Sequence, residues 1–230
     1  MPRSQRIVFE GALYHVTSRG NNKRAIFRRA RDRHRFLDYL GEVIGLSGWI
    51  CYAYCLMRNH FHLLLETPRP NLSKGMQLLL GRYALYFNNT HNRVGHVFQG
   101  RYHDVLVENE AYFLEANRYI ELNPVRAGIC GNPEEYPWSS YPVTAGLRNY
   151  PSFVRSDQVL AHFGDNLTLA RAAYVQFVRD GIGKHLWDQL KEDRYLGNDA
   201  YVMRMRSQES GTDESESVSK NENCEQLVQM

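Results

Sequence analysis

The chain has 230 residues, of which 43% are apolar and 23% are charged, and its net charge is +3. No run of about 18 apolar residues could span a bilayer, and the first ten residues lack the apolar core of a secretory signal, so we expect a cytoplasmic protein without a membrane segment. The four cysteines form no C-x-x-C pair, which argues against a disulfide scaffold and against a cysteine zinc site.

The first part of the chain predicts a strand, a helix and two further strands. Residues 12–18 are rich in β-branched and aromatic side chains and precede Gly20, which predicts a strand followed by a loop. Apolar residues recur at helical intervals across 31–47, so we expect an amphipathic helix there. Residues 49–57 and 61–66 are typical of strands, and the short connection between them predicts antiparallel pairing.

The next part predicts a helix, a strand and a third helix. Residues 72–88 have helical periodicity, residues 102–107 are typical of a strand, and 110–122 predict a helix that Pro124 helps to end. The order is therefore βαββαβ followed by α. This order is the ferredoxin-like α+β plan, an antiparallel sheet with two helices on one face, so the third helix must cover the other face or lie at an edge.

Beyond residue 145 the signals are weaker. Three short stretches could each form a helix: 156–162, 167–178 and 184–190. We therefore expect a main domain over 1–145 and a small helical extension over 146–206. Residues 207–230 have few large apolar side chains and many acids, Ser and Asn, which predicts a disordered acidic tail.

The charge is unevenly distributed along the chain. Residues 207–230 hold six acidic residues and one lysine, so they carry a net charge of −5 and residues 1–206 carry +8. Positive charge is densest across 19–35, where eight lysines and arginines accompany one acid, Asp32. The positive charge of residues 1–206 favours a polyanionic partner, although any single arginine could equally belong to a solvated helix face.

The segment Asn59–Glu66 contains the strongest local signal for chemistry, the pair His60 and His62. Side chains alternate along a strand, so both imidazoles point from one face while Phe61 and Leu63 point from the other. Two imidazoles on one rigid strand can chelate a divalent metal. Neighbouring histidines are also ordinary polar residues in most proteins, so the pair alone does not assign a metal site.

A second candidate group lies on the predicted third helix. Tyr119 and Asn123 are four residues apart, so they lie on about the same helix face. A tyrosine hydroxyl can attack a phosphate when a nearby cation neutralises the scissile group, and the amide oxygen of Asn123 could complete the protein ligands of that cation. The alternatives are that Tyr119 only packs in the core, or that Tyr112, two turns earlier, is the nucleophile.

Four stretches match the motifs of a known family. They are LYHVTSRG at 13–20, MRNHFH at 57–62, RYIELNPVRAG at 118–128 and PWSSY at 137–141. With these motifs the sequence resembles the HUH-type single-tyrosine transposases of small insertion sequences, and among them the REP-associated tyrosine transposases. The resemblance extends over residues 5–145 and implies that the main domain is a transposase-like HUH nuclease domain, closed by the PWSSY segment.

The resemblance also implies a mechanism. It makes His60 and His62 ligands of Mg²⁺ or Mn²⁺ and Tyr119 the nucleophile of a site-specific nickase and strand-transferase. Such an enzyme cuts single-stranded hairpin or palindromic DNA and forms a 5′-phosphotyrosine bond. Insertion-sequence relatives usually offer Gln where this chain has Asn123, and Pro124 follows it, so water is the alternative third metal ligand. Members of the broad group include dimers that exchange tyrosine helices, which leaves both monomer and homodimer open.

Six residues are predicted to contact DNA: His15, Arg19, Arg28, Arg29, Arg31 and Arg101. His15 and Arg19 share a face of the first strand, from which they could touch the scissile phosphate or merely satisfy the end of the sheet. Arg101 belongs to residues 95–102, whose aromatic and basic groups could stack on unpaired bases. A turn anchored by buried Phe98 is the alternative for that segment.

Two other functions remain open from the sequence. A non-catalytic nucleic-acid-binding module is possible because a ferredoxin-like sheet with a basic surface also describes RNA recognition domains. Such modules usually carry aromatic residues on the sheet, whereas here the strand opens with paired histidines. A metal-dependent phosphodiesterase that uses water and forms no tyrosyl adduct is the weaker alternative.

Overall fold

The computed structural model of the protein describes residues 7–184 and 194–208. The strands are β1 (Ala12–Arg19), β2 (Ile50–Leu56), β3 (His60–Thr67), β4 (His103–Val107) and β5 (Tyr195–Leu196). The α-helices are α1 (Ala30–Ser47), α2 (Leu72–Thr90), α3 (Asn109–Glu121), α4 (Asn123–Arg126), α5 (Tyr141–Thr144), α6 (Ser156–Leu160) and α7 (Leu167–Arg179), and residues 199–208 are also helical. No helix within the described ranges is long and apolar enough to cross a membrane.

The strands form one sheet in the order β2-β3-β1-β4-β5. The pairs β2–β3, β3–β1 and β1–β4 are antiparallel, and β5 joins β4 in parallel. The first four strands with α1 and α2 therefore make the βαββαβ ferredoxin-like unit that the sequence predicts. Strand β5 was not predicted, since two residues are too short to show a period of two.

Side-chain alternation in the strands builds a core on each face of the sheet. Tyr14 and Val16 on β1 contribute to a first core with α1 and α2, whereas Leu13 and Leu64 contribute to a second core with α3, α6 and α7. Burying one such apolar side chain stabilises the fold by about 1.5–3 kcal/mol. Helix α3 thus covers the second face, which is one of the two positions expected for it.

Helix boundaries follow from local chemistry. Helix α1 ends at Ser47 because the next residue, Gly48, has a φ of 71°, the left-handed conformation that glycine adopts without strain. At the start of α2 the side chain of Asn71 does not cap the helix, because its oxygen accepts a hydrogen bond from Nε1 of Trp49 at 2.7 Å and its nitrogen donates to the carbonyl oxygen of Ser47 at 2.9 Å. These two bonds tie the end of α1 to the start of α2.

The outer edge of β2 is covered by two later segments. The amide of Leu56 donates to the carbonyl of Trp138, the amide of Ser140 donates to the carbonyl of Tyr54, and the amide of Arg155 donates to the carbonyl of Cys51. The PWSSY segment therefore lies where a closing segment is expected.

The C-terminal extension packs onto the main domain. Val159 on α6, with Tyr174 and Val178 on α7, lies in the second core against α3, while Tyr201 and Met205 join the first core. The predicted helix at 184–190, apart from its first residue, and most of the predicted tail lie outside the described residues. Positions 207 and 208, expected to be disordered, belong to the helical segment 199–208.

Candidate active site

A cleft of about 940 Å³ opens on the second face of the sheet, at the end of β1 that leads into the loop after Arg19. Polar side chains from β1, β3, β4 and the turn after α3 line it together with neighbouring loops. They include Thr17, Arg19, His60, His62, Gln99, Arg101, His103, Tyr119, Asn123, Arg126 and Lys184. The cleft thus combines imidazoles, a phenol and several cations in one concave surface.

Two cross-strand rows on the sheet contribute to this cleft. Thr17 on β1 pairs with His62 on β3 and with His103 on β4, so these three residues form the first row. Arg19 pairs with His60 in the second row. Directly paired residues of an antiparallel sheet point to the same face, so the register delivers both predicted metal ligands to the cleft.

His62 lies deeper in the cleft than His60 and contacts a third histidine. Its Nδ1 lies 2.9 Å from Nε2 of His15, and the two rings stack with centroids 5.2 Å apart. Burial, with a smaller effect from nearby His103, lowers the pKa of His15 to about 3. Burial, then Arg19, lowers that of His60 to about 4, while burial and neighbouring His15 hold the pKa of His62 well below its usual value. The three imidazoles are therefore neutral at neutral pH.

Both predicted ligands present a nitrogen that can bind a cation. Nδ1 of His60 donates a hydrogen bond to the side-chain oxygen of Asn59 at 2.7 Å, so its Nε2 carries the lone pair. Nε2 of His62 is buried and has no hydrogen-bond partner among the described residues. A neutral imidazole whose other nitrogen is hydrogen-bonded is the usual form of a metal-bound histidine. The pair therefore fits a divalent ion.

Asn123 lies at the cleft as the first residue of α4. Its side-chain nitrogen donates to the carbonyl oxygens of Tyr119, at 2.9 Å, and Ile120, at 3.4 Å, so its side-chain oxygen is the atom that could reach an ion. Across residues 7–184 and 194–208, no cluster of three or more His, Cys, Asp and Glu is arranged to hold a metal. An ion held by two imidazoles and one amide would complete its coordination with water or phosphate oxygens, as Mg²⁺ commonly does.

Tyr119 on α3 points at the histidines. Its ring meets the ring of His15 edge to face at a centroid distance of 5.6 Å and that of His62 at 6.0 Å. The rival nucleophile, Tyr112, does not line the cleft and packs at the margin of the second core. Of the two tyrosines, the structure brings only Tyr119 to the predicted metal ligands.

The predicted DNA contacts separate into three groups. Arg19 and Arg101 line the cleft, and their contact with DNA stays a prediction. His15 is 6% exposed, does not line the cleft and lies 2.9 Å from His62, and its contact with the scissile phosphate stays a prediction. The three arginines at 28, 29 and 31 are exposed around the start of α1, the helix of the first core, and lie outside the cleft.

The loop before β4 is anchored by Phe98 and by backbone hydrogen bonds, and stacking of its residues on unpaired bases stays a prediction. The amide of Asn21 donates to the carbonyl of Val97, and the amide of Gln99 donates to that of Arg19. Phe98 packs against the first core, with its ring 6.4 Å from that of Phe61. This anchoring places Gln99 and the residues after it at the cleft.

Sequence reasoning missed several cleft residues, among them His103 and Arg126. His103 shares the period of two that places Val105 and Val107 on the second face, so alternation along β4 could have found it. Arg126 stands within the RYIELNPVRAG motif, three residues after Asn123, but only the helical turn of α4 shows that it reaches Tyr119.

Comparisons with known proteins bear on the family and the fold of this chain. The family model described as IS200-like transposase matches residues 8–123, and no curated protein matches the chain. A structure of a REP-associated tyrosine transposase bound to a REP hairpin is 16% identical, with a TM-score of 0.55 over 68% of this chain and 90% of that chain, which supports the fold. A candidate transposase from Deinococcus radiodurans R1 is 20% identical over 53% of this chain and 96% of that chain, with a TM-score of 0.37. Because the family model spans half of the chain, from β1 through Tyr119 to Asn123, the protein belongs to the IS200-like transposase family.

Proposed function

We propose that the protein is a metal-dependent, site-specific single-strand DNA nickase and strand-transferase that forms a 5′-phosphotyrosine intermediate on Tyr119. The observation that carries this proposal is the meeting of Tyr119 with His62 in a cleft that also presents His60 and three arginines. A phenol, two neutral imidazoles and fixed cations are the groups that phosphoryl transfer to tyrosine requires.

Each side chain has a distinct part in the reaction. His60 and His62, with Asn123 as a third protein ligand, would hold Mg²⁺ or Mn²⁺, which supplies positive charge at the scissile phosphate. The oxygen of Tyr119 attacks phosphorus, its proton passes to water, and the bond to the 3′ oxygen breaks. That oxygen takes a proton from water and becomes a 3′-hydroxyl, while the 5′ phosphate stays on the tyrosine. Attack by a 3′-hydroxyl reverses these changes and joins a strand.

The DNA substrate is proposed from the cleft and from the structural relative. Arg19 and Arg101 line the cleft together with the histidines, and we propose that they contact backbone phosphates. The structurally similar REP-associated transposase is bound to a REP hairpin, and we propose hairpin or palindromic DNA for this chain as well. The histidines and Tyr119 come from one chain, so we propose that a monomer forms a complete site and that exchange of helices in a homodimer is not needed.

The deciding experiment incubates the full chain with labelled single-stranded hairpin DNA and Mn²⁺, followed by denaturing electrophoresis. The wild type should form a covalent protein–DNA species that Tyr119→Phe abolishes and that Tyr112→Phe retains. His60→Ala, His62→Ala and a chelator should each remove it. DNA binding without cleavage would favour the non-catalytic module, and cleavage that survives Tyr119→Phe would favour the phosphodiesterase.

A further inference from the structure

We infer that His15 is a positioning residue of this site, which fixes the tautomer and orientation of His62 and supports the ring of Tyr119. The inference rests on the proposed function, since it assigns His62 a metal to bind. In this inference His15 acts beneath the surface of the cleft and does not contact the scissile phosphate.

The sheet register makes the contact between the two histidines. His15 pairs with Leu64 on β3 and with Val105 on β4, and Thr17 pairs with His62. His15 and His62 are therefore diagonal neighbours on one face, a spacing that long side chains can bridge. The bridge is the 2.9 Å contact between Nε2 of His15 and Nδ1 of His62, with the two ring planes only 14° apart.

The hydrogen bond has two possible directions, and one of them suits a metal ligand. If Nδ1 of His62 donates to His15, then Nε2 of His62 carries a lone pair that an ion can use. If His15 donates instead, then Nε2 of His62 carries a buried N–H, and no acceptor for it exists among the described residues. Only the first direction lets every nitrogen of His62 find a partner when an ion binds, so His15 acts as the acceptor.

His15 also touches the nucleophile. The rings of Tyr119 and His15 lie edge to face with their centroids 5.6 Å apart. This distance is slightly shorter than the 6.0 Å between the ring centroids of Tyr119 and His62. His15 is held in place by its two strand partners and is 6% exposed. The imidazole of His15 thus fixes the position of Nε2 of His62 relative to the ring of Tyr119.

Metal affinity gives the first test, with Mn²⁺ as the probe and the full-length protein without DNA. His15→Phe keeps an aromatic ring and removes the acceptor, so Mn²⁺ binding measured by electron paramagnetic resonance should weaken about 10- to 100-fold. His15→Gln offers a side-chain oxygen to Nδ1 of His62 and should recover part of that loss. Val105→Ala is the matched control, because Val105 faces His15 in the register and makes no bond to His62. It should leave Mn²⁺ affinity unchanged.

The tautomer of His62 gives the second test, which needs neither metal nor activity. Long-range ¹H–¹⁵N spectra of the wild type should show the proton of His62 on Nδ1, and His15→Phe should shift population toward the form protonated on Nε2. A wild-type His62 protonated on Nε2 would overturn the inference, whether or not His15→Phe folds. Unchanged Mn²⁺ affinity in a folded His15→Phe protein would also overturn it.

Failure of the proposed function has a different signature. A wild type that binds no Mn²⁺ and forms no tyrosyl adduct would contradict the nickase. The tautomer measurement would still support or overturn the positioning of His62 by His15 in that protein.

Discussion

The guanidinium of Arg126 lies over the ring of Tyr119, 4.7 Å from its centroid. Arg126 is on α4, which follows α3 after a single residue, so the stack joins the end of the tyrosine helix to the next turn. A cation attracts an electron-rich ring, and a phenolate is richer in electrons than a phenol. The contact should therefore be stronger while the tyrosine oxygen carries negative charge during cleavage and joining.

Replacing Arg126 by Ala should slow formation of the tyrosyl adduct. A cation–π contact contributes about 0.5–2 kcal/mol, and only the part gained in the transition state changes the rate, so the loss of rate should be at most about 30-fold. Arg126→Lys should recover less than full activity, because an ammonium lacks the planar surface that stacks on the ring. Single-turnover cleavage at saturating DNA measures the effect, and Arg101→Ala is a control expected to weaken DNA binding more than the rate. An unchanged rate in both Arg126 variants would contradict the role.

The buried carboxyl of Glu121 should make stability depend on pH. Glu121 is fully buried on α3, where it accepts hydrogen bonds from the hydroxyl of Ser140 at 2.5 Å and the amide of Tyr141 at 2.9 Å. Burial raises its pKa from 4.5 to about 8, and these hydrogen bonds oppose the shift. Between these values the folded protein keeps a proton that the unfolded chain has lost, so the free energy of unfolding should fall as pH rises, by about 1.4 kcal/mol per unit.

Urea unfolding at pH 5, 6, 7 and 8 measures this contribution. The stabilisation by the protonated carboxyl of Glu121 is complete below pH 4.5, the pKa of this group in the unfolded chain, and is lost by about pH 8. Glu121→Gln cannot titrate, so its unfolding free energy should vary less with pH across that window. Glu42→Gln, at a side chain that is 51% exposed, should keep the wild-type dependence. Parallel curves for the wild type and Glu121→Gln would show that Glu121 is already ionised.

The arginines around the start of α1 remain predicted DNA contacts outside the cleft. Replacing Arg28, Arg29 and Arg31 together by Ala should weaken binding to all single-stranded sequences about equally. Each lost phosphate contact lowers the slope of log affinity against log salt by about 0.7, so the triple variant should lose about 2 in slope. A double variant of Arg155 and Arg179, which pair with Asp157 and Glu134, is the control with little expected change. An unchanged slope in the triple variant would mean that these arginines only face solvent.

Two glycines of α2 should respond oppositely to the same substitution. A Cβ at Gly75 would lie 2.2 Å from Cζ2 of Trp49, whose ring is buried and bonded to Asn71, so Gly75→Ala should destabilise the fold by about 1–3 kcal/mol. A Cβ at Gly81 would meet nothing within 4 Å, and Gly81→Ala should stabilise the helix by about 0.5–1 kcal/mol. Thermal unfolding of both variants checks the signs. Equal shifts of the two unfolding temperatures in the same direction would contradict the close packing of Gly75 against Trp49.

The ferredoxin-like fold could be predicted because apolar residues recur in each strand and helix at the spacing typical of that element. Alternation in β1 and β3 separates Tyr14 and Phe61 from His15 and His62, and helical spacing marks α1 and α2. The same alternation predicted that His60 and His62 share a face, and the helical spacing of Tyr119 and Asn123 placed them together. These predictions need only local geometry, so one sequence sufficed for them.

The contacts between elements could not be predicted in this way. The bond between His15 and His62 joins residues 47 positions apart and depends on a strand register that no short window of sequence contains. The stack of Arg126 on Tyr119 depends on the turn between α3 and α4, where Pro124 is accommodated inside a short helix. The charge of Arg28, Arg29 and Arg31 predicts contacts with DNA, and only the fold shows that these residues lie outside the cleft.

The covered edge of β2 determines how this sheet can meet other chains. An uncovered edge strand presents a row of free backbone donors and acceptors and can template aggregation. Here Trp138, Ser140 and Arg155 occupy three of those backbone positions, so a second molecule cannot extend the sheet there without first displacing them. Any truncation upstream of residue 138 would remove that protection, together with Lys184 of the cleft, and the shortened protein should aggregate through β2.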